Sequence, residues 1–123
     1  RPNHFGRFIE TFDHPNLGFI LDTGHALVSC GNAADDFHRI MAPRMAAYHL
    51  ADNAGDRDSH LAPGHGRVDW NTVFRRAAEI GYSGCMCIET APFAHTPGGD
   101  FLPEAWKQMV DDTDALAVEA LEG

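Results

Sequence analysis

Three short apolar runs, each with a polar residue at or next to its end, constrain this chain more than any other feature. "LGFILD" (17–22) ends at Asp22, "AAYHL" (46–50) carries His49, and "GCMCIE" (84–89) ends at Glu89. Runs of five or six residues with Gly or Pro nearby read as buried strands rather than helices. The segments between them have helical spacing. In "DWNTVFRRAAEIG" the residues Trp70, Val73, Phe74, Ala77, Ala78 and Ile80 recur at three and four, with Asp69 placed as N-cap and Gly81 just past the end. "NHFGRFIETFDH", "NAADDFHRIM" (32–41) and "PEAWKQMVDDTDALAVEALEG" (103–123) read as further helices, the last with Pro103 in its first turn. The predicted order is helix, strand, helix, strand, helix, strand, helix. Such alternation implies parallel strands joined by right-handed crossovers.

Side chains alternate along a strand, so Gly18 and Ile20 share a face with Asp22, Ala47 with His49, and Cys85 and Cys87 with Glu89. Each strand then points one polar group inward at its C-terminal end, which is the rim where a (β/α)8 barrel does its chemistry. Three strands cannot close a barrel. The parity suits either the C-terminal part of one or a small open α/β sheet.

Composition narrows the function. A net charge of −9 over 123 residues disfavours a nonspecific nucleic-acid binder, which needs a basic footprint. No window approaches the roughly 20 apolar residues of a membrane helix, and no secretory signal is visible. Three cysteines, two of them as Cys85-x-Cys87 inside an apolar run, do not resemble a disulfide framework and point to a reducing cytoplasm. The chain opens on Arg-Pro and reads as the middle of something, a fragment of a longer protein.

Asp22, His49 and Glu89 fall at equivalent heights on three consecutive predicted strands. Two carboxylates and one imidazole make a mixed O/N site suited to Mn²⁺, Mg²⁺, Co²⁺ or Zn²⁺ rather than a thiolate-seeking metal. In "LDTGH", Gly24 permits a tight turn that lets Asp22 and His25 reach one point. In the loop "YHLADNAGDRDSHLAPGHGRVDW" (48–70), Asp58-x-His60 is close enough to share a metal or orient a substrate. Asp52 and Asp56 read as solvated loop residues, and His65 as part of a turn allowed by Gly64 and Gly66. Cys85 and Cys87 lie deeper than Glu89 and read as filling of the barrel floor.

Together "LGFILDTGHA", "YHLADN…DSHLAPGHGRVDW" and "GCMCIET" resemble the C-terminal part of sugar phosphate isomerase/epimerase proteins, xylose isomerase-like TIM barrels related to the endonuclease IV type. The resemblance runs over nearly the whole chain. It implies an α/β fold in which residues 1–123 form the C-terminal portion of a single (β/α)8 TIM-barrel domain, about three βα units. By it, Asp22, His49 and Glu89 hold a divalent metal, and a further Glu ligand lies upstream of Arg1. Glu89 doubles as proton carrier, and His25 contacts a substrate oxygen or, in the nuclease branch, a second metal. Asp58 and His60 complete a metal cluster in that branch, and Arg57 binds a hydroxyl or phosphate. The activity implied is isomerisation or epimerisation of a sugar or sugar phosphate, by proton transfer beside a carbonyl that the metal polarises. The alternatives are a lyase of the 3-dehydroshikimate dehydratase kind, an endonuclease IV-like phosphodiesterase, and an inactive incomplete barrel. A small-molecule sugar is the expected partner, without nucleic acid or membrane, and homo-oligomerisation is left open.

Overall fold

The computed structural model describes residues 2–31, 34–90 and 99–123. Three strands, β1 (Phe19–Asp22), β2 (Met45–Leu50) and β3 (Cys85–Ile88), form one parallel sheet in the order β1-β2-β3. Helices α1 (Pro2–Thr11), α2 (Thr23–Cys30), α3 (Ala34–Met41), α4 (Trp70–Glu79) and α5 (Pro103–Glu122) alternate with the strands, with a 3₁₀ turn over Ala42–Arg44. The helix expected over 32–41 begins at Ala34, and positions 32 and 33 lie outside the described residues. The chain is an α/β fold with parallel strands joined by helical crossovers.

One element was not foreseen. Asp22 ends β1 and immediately caps α2, its Oδ1 accepting from the His25 backbone N–H at 2.8 Å. Gly24 therefore lies inside a helix rather than in a tight turn. Its missing side chain serves packing instead, since a Cβ there would meet Ala51 and Asn53 at 3.2–3.3 Å. At the other end of the sheet, α4 follows the sequence closely: Asp69 accepts from Thr72 N–H at 3.1 Å, and Gly81 takes a φ of 65° just past the helix.

The core lies on one face of the sheet. Leu21, Tyr48 and Leu50 pack with Phe37, Met41, Val73 and Phe74, and Met86 and Ile88 sit against the same cluster. On the other face Ile20 is 51% exposed and Cys85 and Cys87 are exposed. The two cysteines point where the alternation predicts, but among the described residues nothing covers them.

Register corrects a second expectation. Asp22 pairs with His49, but the partner of His49 on β3 is Cys87. Glu89 is thus not level with the other two. It lies two residues beyond Cys87, past the end of β3, where its N–H still bonds Leu50 O at 3.0 Å.

Candidate metal and proton-transfer site

The strand ends bring Asp22, His49 and Glu89 together despite that stagger. One ligand atom from each lies within 4.8 Å of the others. His49 Nδ1 is 2.9 Å from Glu89 Oε2 and 3.7 Å from Asp22 Oδ2. Glu89 Oε2 is buried, yet among the described residues no donor reaches it in hydrogen-bond geometry, although the His49 nitrogen is close enough. A buried carboxylate oxygen without a donor is costly, and a cation shared with His49 and Asp22 relieves that cost. The donor set therefore fits a divalent metal held by two carboxylates and one imidazole.

A second group sits beside the first. His25, Asp58 and His60 also offer ligand atoms within 4.8 Å of one another. His25 Nδ1 is 2.9 Å from Asp22 Oδ2, and its Nε2 is 3.0 Å from Asp58 Oδ2. His60 Nε2 lies 3.2 Å from the same Asp58 oxygen, and its Nδ1 lies 3.3 Å from the Glu89 carbonyl. The hydrogen bond with Asp58 is the main reason the His25 pKa is raised above its ordinary value, with the Asp22 charge adding to it. That bond in turn lowers the pKa of Asp58.

His60 has a φ of 46°, the only such value at a non-glycine among the described residues. Left-handed backbone at a histidine is uncommon and costs energy, so the surroundings must hold it. They do so at three points: Thr90 Oγ1 donates to the His60 carbonyl at 2.6 Å, and the ring bridges Asp58 and Glu89 O.

Arg57 is exposed and joins neither group; its carbonyl accepts from Ser59 Oγ. Asp56 is exposed, as expected of a solvated loop residue. His65 is exposed in a turn closed by its N–H on Ala62 O, and Gly64 has a φ of 85°.

Asp52 overturns its sequence reading as a solvated residue. It is 0% exposed. Its Oδ1 accepts from the N–H groups of Asn53 (2.9 Å) and Val68 (3.0 Å), and its Oδ2 from Gly64 N–H (3.1 Å) and Trp70 Nε1 (2.8 Å). Below it, Thr23 Oγ1 donates to Ala51 O at 2.8 Å, and Asn53 Nδ2 donates to Gly24 O at 2.7 Å. These bonds tie the β1–α2 junction to the loop after β2. The sequence carried one usable signal, the two glycines and a tryptophan spaced downstream of an Asp at a strand end.

A cavity of about 560 Å³ lies elsewhere, lined by Phe74, Tyr82, Met86, Ile88, Trp106 and Val110 among others, and holds none of the six clustered residues. Its lining is largely apolar, with Asp114 as its carboxylate.

Comparison with known proteins agrees with this fold. The family model of the xylose isomerase-like TIM barrel matches residues 1–116. Protein MJ1311 of Methanocaldococcus jannaschii is 32% identical over 90 residues, 72% of this chain and 30% of that protein. The D-psicose 3-epimerase of Ruminiclostridium cellulolyticum is 30% identical over 94 residues, 74% of this chain and 28% of the enzyme. Among solved structures, a D-tagatose 3-epimerase-like protein superposes with a TM-score of 0.72 at 26% identity, covering 98% of this chain and 43% of that one. The chain thus spans less than half the length of each of these relatives. On the family match over nearly its whole length, the chain belongs to the xylose isomerase-like TIM barrels.

Proposed function

We propose that this chain is the C-terminal part of a single xylose isomerase-like barrel whose activity is metal-dependent isomerisation or epimerisation of a sugar or sugar phosphate. The observation that carries the proposal is the convergence of Asp22, His49 and the donorless Glu89 Oε2 at the strand ends. Kinship to proteins named as sugar epimerases supports the substrate class.

Asp22, His49 and Glu89 would hold the divalent cation, which when bound supplies Lewis-acid polarisation of a substrate carbonyl and so acidifies the adjacent C–H. Glu89 then carries that proton on a carboxylate oxygen and returns it. His25 is held by Asp22 at Nδ1, and its Nε2 faces Asp58. Donation to a substrate oxygen requires Nε2 to exchange Asp58 for the substrate. His60, bonded to the Glu89 carbonyl, steadies the backbone behind the proton carrier.

The test is solvent-deuterium incorporation. The full-length protein, loaded with Mn²⁺, is incubated in D₂O with D-psicose or D-tagatose and the sugars are read by NMR. Deuterium at a carbon beside the carbonyl, dependent on Mn²⁺, supports the proposal. A panel of ketoses and their phosphates that exchanges no hydrogen refutes it. A second reading, phosphodiester hydrolysis, has one observation in its favour, the neighbouring His25–Asp58–His60 group. Cleavage of a phosphodiester with several bound metal ions per chain, and no sugar exchange, selects it.

A further inference from the structure

We propose that Asp52 is the positioning residue of this site, a buried carboxylate that sets the path of loop 53–69 and so delivers Asp58 and His60 to their partners. For its effect on turnover this rests on the proposed function above; for its effect on the loop it does not.

The main chain of Asp52 pairs with Leu61 in both directions, N–H to O at 2.8 Å and back at 2.7 Å. Residues 53–60 are therefore an excursion closed at its base, with Asp58 and His60 on its returning arm. The side chain of the same residue gathers the next stretch through Gly64, Val68 and Trp70. One residue thus closes both lobes of the loop. A fully buried carboxylate is tolerable because four N–H donors surround it, and each donor is a fixed point on the loop.

Gly66 gives independent support. A Cβ at this position would fall on Asp52 Oδ1 and on the Asn53 backbone. Here glycine is needed for close approach rather than for an unusual φ. The loop is therefore shaped around the Asp52 carboxylate and leaves no room for any side chain there.

The position matters for chemistry because Asp58 and His60 touch the site at His25 Nε2 and at the Glu89 carbonyl. The four side-chain hydrogen bonds of Asp52 go to Asn53, Gly64, Val68 and Trp70, outside both clusters, so it acts through Asp58 and His60.

Asp52→Asn and Gly66→Ala are the test, made in the full-length protein. Asparagine keeps the shape but presents an NH₂ to a ring of donors, while Gly66→Ala keeps the carboxylate and blocks the approach. Either one serves if the other fails to fold. Two-dimensional ¹H–¹⁵N spectra of the histidine side chains, without metal, read the His25–Asp58–His60 contacts directly. Both variants are expected to shift the His25 and His60 ring signals as Asp58→Asn does, while Mn²⁺ affinity stays within about threefold. Unchanged ring signals in either folded variant overturn the proposal.

In the sugar assay, Asp52→Asn is expected to lower kcat by about tenfold or more, the usual range for groups that orient others. The double variant with Asp58→Asn should lose less than the product of the two single losses, the non-additivity of residues acting in one network. Additive losses overturn the positioning role and leave Asp52 as a general stabiliser. If no sugar turns over at all, the proposed function fails, and the ring spectra still decide the role of Asp52.

Discussion

The two neighbouring clusters are built on different foundations. Asp22 and His49 stand on paired strands, with Glu89 tied to the sheet by its backbone, and their positions follow from register and the pleat. Asp58 and His60 stand on a loop, and their positions depend on the bonds gathered by Asp52 and on a strained His60. The strand-borne group rests on the parallel ladder and on the buried core behind it. The loop-borne group is as firm as its anchoring bonds, the part of a fold that opens first.

Breaking the strand-borne group should cost most. Glu89→Gln removes the donorless oxygen's charge and the proton carrier together. Turnover should fall by about 10²–10⁴-fold, the scale of a lost general base, and titration calorimetry should show weakened Mn²⁺ binding. Unchanged binding would take Glu89 out of the ligand set.

Asp58→Asn should come next, lowering kcat by about tenfold while Mn²⁺ affinity changes by less than about threefold. An equal loss of metal binding would merge the two clusters into one site and erase the contrast.

The loop-borne group should also be the pH-sensitive one in the metal-free protein. The His25 pKa is raised, chiefly by Asp58. The stabilisation from a charged His25 is therefore fully present below its ordinary pKa of 6.5 and is lost as pH rises through the raised value. Amide exchange across 53–60, corrected for intrinsic rates, should show protection that declines over that window. Protection that rises with pH would reverse the assignment.

The smallest expected effect concerns His60. Both His60→Gly and His60→Ala delete the ring, but only alanine keeps the cost of left-handed backbone at φ 46°. Glycine should be the more stable by about 1 kcal/mol in urea denaturation. Equal stabilities would mean that the loop relaxes once the ring is gone.

These contrasts also explain what the chain revealed as sequence. Asp22, His49 and Glu89 were legible because each lies at or next to the end of an apolar run, and strand alternation fixes which way it points. Their stagger was not, because strand pairing is set in three dimensions, and β3 slides two residues relative to the simple alignment of run ends. Helix α2 was hidden in "TGHALVSC", eight residues with Gly, Thr and Ser among them and no polar face to give a period. Asp52 was misread for a related reason. An aspartate in a Gly-rich loop looks the same whether water or four N–H groups surround it, and only the folded loop brings those donors around it.

The contacts among the six site residues have a shape of their own. From Glu89 they pass to His49, Asp22, His25, Asp58 and His60, and from His60 back to the Glu89 carbonyl. A closed circuit has no free end, so whatever enters it displaces a partner of its neighbour. An ion drawn to Asp22 and His49 competes with His25 for Asp22 Oδ2, and the released imidazole then leans on Asp58 alone. By reciprocity, any ligand whose affinity the ion changes by some factor changes the ion's affinity by that same factor. The two clusters would then communicate without any movement of the sheet.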